Sequence, residues 1–256
     1  MNTLHAERRG KGYPLILLHG FCETGAIWGP MVKLLPEGIE VIAVDLPGFG
    51  KSELPKEKFS IADIGSLVID WIRSMKIPKA VLVGHSLGGY VGLSMLAQAP
   101  DLFSEFVLFQ STALADSAEK RENRNKVIEF VNANGVDAYV RNFIPSLFKI
   151  RCDDDIDFAL KIAFQTQKET FIGYTEAMRD RPSSEPLLAG KSVPISIIAG
   201  GEDTVVPIAS LRAQAVANPS IDLKVLEGVG HMGMLEAMQP SASLLSGIIS
   251  AIKTKG

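Results

Sequence analysis

Six short apolar runs alternate with longer segments of helical periodicity, and this alternation is the feature that most limits the fold. In chain order the runs are PLILLHG (14–20), EVIAVDLPG (40–48), AVLVG (80–84), EFVLFQ (105–110), PISIIAGG (194–201) and DLKVLEG (222–228). Helical patterns lie near residues 26–35, 61–75, 87–99, 207–217 and 236–253. Runs that are apolar throughout are typical of strands buried on both faces, so the chain predicts a mainly parallel sheet with helices on either side. LHAERRG (4–10) predicts one more strand at the edge of the sheet.

Residues 112–190 interrupt the alternation, because they contain helical patterns with charged faces and no strand pattern. Asp116 followed by Glu119 predicts a capping box at the start of the first of these helices. Open α/β sheets bind ligands at the carboxyl ends of their strands, where an insertion between two strands would lie. We therefore predict an α/β core of residues 1–111 and 191–256, and a helical lid, or cap, of residues 112–190 inserted in that core.

Composition and charge exclude several classes of protein. The 256 residues carry a net charge of -3, so nucleic acid is not expected as a partner. No apolar run reaches the roughly 18 residues that a membrane span needs, and no apolar region of a secretory signal follows the charges near the N-terminus. The two cysteines, Cys22 and Cys152, are too few for a disulfide framework, so we expect a reduced, cytoplasmic protein. The four histidines lack the paired spacing of a structural zinc site.

Two glycine-rich stretches resemble nucleotide-binding motifs without completing them. PGFGKS (47–52) has the end of a Walker A loop, but Asp45 stands where that loop needs a glycine. GVGHMG (228–233) satisfies G-x-G-x-x-G, but the acidic residue expected about 20 positions later falls near Lys253. Neither stretch therefore predicts a nucleotide or dinucleotide cofactor.

GHSLG (84–88) fits G-x-S-x-G in the context that this motif requires, after an apolar strand and before a helical pattern. In such a nucleophile elbow the serine lies at a sharp strand-to-helix turn with a strained backbone. Neighbours two positions away approach so closely that a Cβ would clash, which explains Gly84 and Gly88. The alternative is that Ser86 caps a helix and has small neighbours for no catalytic reason.

A serine hydroxyl is a weak nucleophile, so it needs a base, and the base needs an acid to orient it. His231 is the one histidine that follows Ser86, in a glycine-rich loop after a predicted strand, and we predict that it is the base. The acid should lie between these residues at the carboxyl end of a strand. Asp203 is the candidate, and its neighbour Glu202 is the alternative.

The remaining requirement is a pair of donors for a developing oxyanion. One is the backbone N–H of Leu87, directly after the serine, and the other is the N–H of Phe21 in the loop after the strand PLILLHG. His19 is predicted to be a structural hydrogen-bonding residue and His85 to pack beside the elbow, whereas His5 has no assigned role.

Together, LLHGF, DLPGFGKS, GHSLGG, GGEDTVVP and GVGHMGMLE resemble the motifs of the α/β-hydrolase superfamily, in order and over essentially the whole chain. The resemblance implies an α/β-hydrolase fold and a hydrolase without metal or cofactor, with Ser86, Asp203 and His231 as catalytic triad. The lid and the segment before Asp203 look like those of small bacterial esterases and enol-lactone hydrolases. Serine at position 86, where related dehalogenases and epoxide hydrolases carry aspartate, favours attack on an acyl carbon.

The predicted function is that of a serine hydrolase that cleaves a small-molecule ester or lactone through an acyl-enzyme. A C–C bond hydrolase or perhydrolase with the same triad, and a small-molecule sensor on this scaffold, stay open, as does the oligomeric state. Candidates for the apolar pocket wall are Trp28, Phe143, Leu147, Phe148, Phe171, Tyr174 and Met178. The alternative for each is that it packs against its neighbours or the sheet. Arg124, Arg141 and Arg179 either meet an acidic substrate or face water. Cys22 is predicted to be a bystander whose alkylation would block access to the site.

Overall fold

In the computed structural model, which describes residues 4–55, 58–190 and 192–254, seven strands form one sheet. The strands are β1 (Ala6–Arg9), β2 (Gly12–Leu18), β3 (Gly38–Val44), β4 (Ala80–His85), β5 (Phe103–Phe109), β6 (Ile195–Gly200) and β7 (Asp222–Leu226). Their order across the sheet is β1-β3-β2-β4-β5-β6-β7. β1 is antiparallel to β3, and every other neighbouring pair is parallel.

Helices cover both faces of this sheet. The helices of the described residues are α1 (Gly29–Val32), α2 (Ile61–Ser74), α3 (Leu87–Gln98), α4 (Ala118–Asn134), α5 (Val136–Ser146), α6 (Asp153–Ala163), α7 (Lys168–Asp180), α8 (Glu185–Leu188), α9 (Ile208–Ala217), α10 (Gly233–Glu236) and α11 (Met238–Lys253). Along β2, Ile16 and Leu18 pack in an apolar cluster with α2 and α3. Leu15 and Leu17 pack in a second cluster with α1 and α11 on the opposite face. The predicted mainly parallel sheet between two helical layers is confirmed. Successive strand residues are buried on opposite faces, which explains why the strands are apolar throughout.

Two predicted helices are divided in the structure. The pattern at 26–35 forms a 3₁₀ turn, Gly25–Trp28, followed by the short α1. The pattern at 236–253 is broken at Ala237, whose φ of -142° is not helical and which separates α10 from α11. Among the residues that the structure describes, none of the helices is both long and apolar enough to cross a lipid bilayer.

Helices α4 to α8 lie between β5 and β6, and the described residues of this interval contain no strand. We call residues 112–190 the insertion. The predicted capping box at its first helix is wrong, because Ser117 is the N-cap of α4 and accepts the Lys120 N–H at 3.2 Å. Asp116 is instead buried and bound to Arg124 and Arg181, because two guanidinium groups bind a carboxylate more strongly than a backbone N–H does.

Candidate active site

Ser86 lies at a sharp turn between β4 and α3, with φ 48° and ψ -112°. Its side chain makes no capping hydrogen bond with the helix, so the helix-cap alternative does not describe it. A Cβ on Gly84 would lie 2.3 Å from the Gly88 carbonyl oxygen, and one on Gly88 would lie 2.4 Å from the carbonyl oxygen of Leu18. Both contacts are with backbone, which cannot move aside, so the turn requires glycine on each side of the serine.

Asp203 and His231 form a buried pair at the carboxyl ends of β6 and β7. Asp203 Oδ2 lies 2.7 Å from His231 Nδ1. Asp203 Oδ1 accepts the N–H groups of Val205 and Val206 at 2.8 and 2.9 Å, which fixes the orientation of the carboxylate. Glu202 is half-exposed and its carboxylate lies 3.4 Å from Lys149 Nζ, so it is not the partner of His231.

His85 connects this pair to the elbow. Its Nε2 donates to the His231 carbonyl oxygen at 2.9 Å, and the two imidazole rings are tilted with their centres 4.9 Å apart. Its Nδ1 lies 3.1 Å from Glu23 Oε2, which also accepts the Gly20 N–H at 2.7 Å. His85 directly precedes Ser86, so this contact links the His231 loop to the elbow.

Glu23 and His85 form a second buried carboxylate–imidazole pair. Burial lowers the pKa of His85, but the Glu23 carboxylate outweighs it, and the net shift is upward. Burial raises the pKa of Glu23, but the charge of His85 outweighs it, and the net shift is downward. Both nitrogens of His85 then act as donors, one to Glu23 and one to the carbonyl oxygen of His231.

Two polar side chains that the sequence did not single out hold the His231 loop. Gln110, buried at the end of β5, donates through Nε2 to the Gly230 carbonyl oxygen and accepts the Gly233 N–H at 2.7 Å. Glu236 accepts the N–H groups of Gly230 and Met232 at 3.2 and 3.0 Å. The sequence signal that could have identified Gln110 is a polar residue directly after the apolar strand EFVLF.

The same loop is tied to the insertion. The His231 N–H donates to the Leu147 carbonyl oxygen at 2.8 Å. Glu236 Oε2 also accepts the N–H groups of Lys149 and Ile150, each at 2.7 Å, in the connection between α5 and α6. The position of the imidazole therefore depends on the insertion as well as on the core.

Ser86 lines a cavity of about 240 Å³ between the core and the insertion. The core contributes Phe21, Ser86, Tyr90, Thr204 and Val205, and the insertion contributes Asp116, Lys120, Asn123, Arg124, Val127, Tyr139, Phe143, Thr175 and Met178. The volume is below the range of about 300–1,000 Å³ that is common for ligand pockets, which suits a small substrate. Of the oxyanion candidates, Phe21 lines this cavity. Leu87 is the first residue of α3, where a helix N–H has no acceptor in its own helix.

Two of the seven candidates for the pocket wall, Phe143 and Met178, line the cavity, and the other five do not. Those five are buried in the apolar clusters: Trp28, Leu147, Phe148, Phe171 and Tyr174. Phe171 lies one layer behind the cavity, with its ring centre 4.7 Å from that of Phe21. Tyr174 donates its hydroxyl to the Pro47 carbonyl oxygen at 2.8 Å, and Trp28 packs edge-on against Phe109. Large aromatic side chains gain more from full burial than from a cavity wall.

The other histidines and Cys22 have structural surroundings. His19 Nδ1 lies 2.8 Å from the Gly20 carbonyl oxygen and His19 Nε2 accepts the Leu46 N–H at 2.9 Å, a neutral arrangement that agrees with the lowering of its pKa by burial. His5 binds Asp45, which organises the PGFGKS turn by accepting the Lys51 N–H. Cys22 is fully buried, and burial raises the pKa of its thiol, so it is a poor target for alkylation.

Comparison with known proteins assigns this chain to a family. The sequence profile of the alpha/beta hydrolase family matches residues 15–244. The chain belongs to this family. The hydrolase is 25% identical over 243 residues to a 2-(acetamidomethylene)succinate hydrolase of Mesorhizobium japonicum, an alignment that covers 90% of this chain and 85% of the relative. It is 28% identical over 243 residues to an uncharacterized hydrolase, YugF, of Bacillus subtilis, covering 89% and 86%.

Solved structures agree with this assignment. The hydrolase superposes on a thermophilic esterase from Thermogutta terrifontis with a TM-score of 0.89 at 25% identity, covering 97% of this chain and 93% of the esterase. It superposes on the enol-lactonase from Burkholderia xenovorans with a TM-score of 0.83 at 22% identity, covering 98% and 96%, which shows a common fold. The resemblance inferred from the sequence motifs and the predicted fold are both confirmed.

Proposed function

We propose that this hydrolase cleaves a carboxylic ester or lactone of a small molecule, with Ser86 as nucleophile, His231 as general base and Asp203 as the acid that orients the base. One arrangement carries the proposal. The strained serine of the β4–α3 turn lines a cavity and follows His85, which binds the His231 carbonyl oxygen, and His231 Nδ1 in turn binds a buried carboxylate at 2.7 Å. The same arrangement of groups activates serine nucleophiles on several unrelated folds.

The proposed chemistry follows from which nitrogen of His231 is bound by Asp203. Its bond to His231 Nδ1 leaves Nε2 free to take the proton of Ser86 as the serine oxygen attacks the acyl carbon. The imidazolium then gives this proton to the leaving oxygen, and the C–O bond breaks to leave an acyl-serine. Water repeats the steps: it loses a proton to His231, attacks the acyl carbon and releases the acid and free Ser86.

The N–H groups of Phe21 and Leu87 are the proposed donors to the tetrahedral oxyanion. Leu87 is suited because its N–H lies at the helix start, and Phe21 because it lines the cavity with Ser86. Removal of one such donor typically costs about 3–4 kcal/mol of transition-state stabilisation. The insertion is proposed as the lid, because its residues supply most of the cavity wall and would exclude water during attack. An esterase and an enol-lactonase among the structural neighbours support an ester or lactone as substrate class.

Hydrolysis of 4-nitrophenyl esters of increasing acyl length tests the proposal. The small cavity predicts a preference for short acyl chains. Ser86→Ala should abolish turnover, and Asp203→Asn should lower kcat by about 10³–10⁴-fold because the imidazole loses its orientation and charge stabilisation. Glu202→Gln is the matched control and should leave kcat unchanged, since Glu202 pairs with Lys149. Full activity of Ser86→Ala, or equal losses in the two acid variants, would refute the assignment.

A further inference from the structure

The wall of the Ser86 cavity carries an excess of positive charge. Lys120, Asn123, Arg124 and Val127 line the cavity at the spacing of one helix face of α4. Lys120 and Asn123 are exposed and form part of its mouth, whereas Arg124 is half-buried. Of the residues that the structure assigns to this wall, Asp116 alone has a carboxylate.

Both carboxylate oxygens of Asp116 already bind an arginine. Its Oδ2 accepts from Arg124 Nε and its Oδ1 accepts from Arg181 Nη1 at 2.8 Å. Burial raises the pKa of Asp116, but the two guanidinium groups outweigh it, and the net shift is downward. Arg181 is itself buried, and its guanidinium lies 3.8 Å from the centre of the Tyr90 ring. One ionised carboxylate thus faces two guanidinium groups, and the trio keeps one net positive charge.

The two cations of the wall have capacity for another anion. Lys120 Nζ contacts the Val205 carbonyl oxygen at 3.3 Å, and no acidic side chain in the described part of the chain pairs with it. Arg124 binds Asp116 through Nε, and neither Nη group donates to a protein acceptor among the described residues. The other two arginines considered from the sequence are occupied elsewhere, since Arg141 stacks on Phe164 and Arg179 binds Asp180.

We infer that the substrate of this hydrolase carries a second, anionic group, such as a carboxylate, that binds between Lys120 and Arg124 while its acyl carbon meets Ser86. The inference rests on the proposed function and names the substrate class of the same site. A cation at the exposed mouth also raises the local concentration of an anionic substrate, and this steering weakens with salt. A guanidinium fork is well matched to a carboxylate, which supports Arg124 as the deeper contact.

Two matched pairs of esters test the inference. In the first, 4-nitrophenyl hexanoate is compared with mono-4-nitrophenyl adipate, in which a carboxylate replaces the terminal methyl of the acyl chain. In the second, phenyl acetate is compared with 4-acetoxybenzoate, which carries the carboxylate on the leaving group. In at least one pair the anionic ester should have the higher kcat/KM, and the advantage should shrink between about 0.02 and 0.5 M salt.

Lys120→Met should lower the anionic-to-neutral ratio of kcat/KM about fivefold, the effect of one exposed charge contact. Lys126→Met is the matched control, because this lysine lies on the same helix and lines an adjoining depression with Phe130 but does not line the Ser86 cavity. It makes the same change in net charge and should leave the ratio unaltered. Arg124→Gln should lower the anionic-to-neutral ratio further. If Arg124→Gln fails to fold, the comparison of Lys120→Met with Lys126→Met still tests the inference.

The outcomes separate the two proposals. Ser86-dependent turnover without preference for either anionic ester, or equal ratios in Lys120→Met and Lys126→Met, would overturn the inference and leave the hydrolase mechanism standing. No turnover of any of the four esters would overturn both. A preference that Lys120→Met removes and Lys126→Met keeps would support an anionic substrate.

Discussion

Replacement of Ser86 with glycine should give a more stable protein than replacement with alanine. Both changes remove the hydroxyl and with it the proposed nucleophile, so neither variant should turn over an ester. They differ in one atom, the Cβ, at a residue whose backbone has φ 48° and ψ -112°. A comparison of the two variants therefore isolates the strain of the turn from the loss of the side-chain oxygen.

The expected difference is about 1 kcal/mol. A residue with a Cβ in so sparsely populated a conformation costs about 1–3 kcal/mol, and glycine removes this cost. Glycine also makes the unfolded chain more flexible, which reduces stability by about 0.4–1 kcal/mol. For a domain of this size, 1 kcal/mol corresponds to about 2–4 °C in Tm.

Urea unfolding and thermal unfolding of the two variants measure the difference. Ser94 is the matched control, since it lies in α3, the helix that follows the turn, and its hydroxyl accepts from Gln98 at 2.9 Å. In a helix glycine is about 1 kcal/mol less favourable than alanine, so Ser94→Gly should be less stable than Ser94→Ala. The order of the two variants should reverse between positions 86 and 94.

A Ser86→Ala protein as stable as Ser86→Gly, with the usual order at Ser94, would refute the claim that the serine backbone is strained. If Ser86→Gly were less stable than Ser86→Ala by as much as Ser94→Gly is less stable than Ser94→Ala, the claim would be refuted more strongly. The turn would then behave as ordinary helix.

Two further predictions concern groups around His231. Gln110→Leu removes both side-chain bonds to the His231 loop, so kcat for an ester should fall about tenfold or more with little change in KM, and an unchanged kcat would contradict this role. Glu23→Gln removes the carboxylate that raises the pKa of His85. The pair stabilises the fold fully between the ordinary pKa values of 4.5 and 6.5, and the effect is lost as pH rises through the raised pKa of His85 or falls through the lowered pKa of Glu23. The Tm difference from wild type should be largest in that window, and a difference independent of pH would contradict a charged pair.

The sequence identified the sheet and the residues at its carboxyl edge because both depend on local signals. Apolar runs mark the strands, and Asp203 and His231 lie in the loops that follow two neighbouring strands, so the topology brings them together. Glycine at positions 84 and 88 likewise reflects a clash that any residue with a Cβ would meet.

The cavity wall could not be predicted in the same way. Phe171 and Tyr174 cannot be told apart in sequence from Phe143 and Met178. The helices of the insertion nevertheless bury the first two in the apolar clusters and turn the second two toward the cavity that Ser86 lines. Which face of a helix meets the sheet depends on packing between helices, and no local pattern specifies it. The ion pairs of Asp116 could not be predicted from local sequence either, since its partners Arg124 and Arg181 are 8 and 65 residues away.

The bonds between the His231 loop and the α5–α6 connection make the support of the imidazole depend on the insertion. An outward movement of that connection would remove the Leu147 carbonyl from the His231 N–H and two donors from Glu236, so the imidazole would lose part of its support. In the proposed mechanism, a molecule with this connection displaced would be unable to activate Ser86, so an intact connection becomes a condition for the first proton transfer. The exposed mouth beside Lys120 belongs to α4, so a substrate that passes there leaves this tether intact.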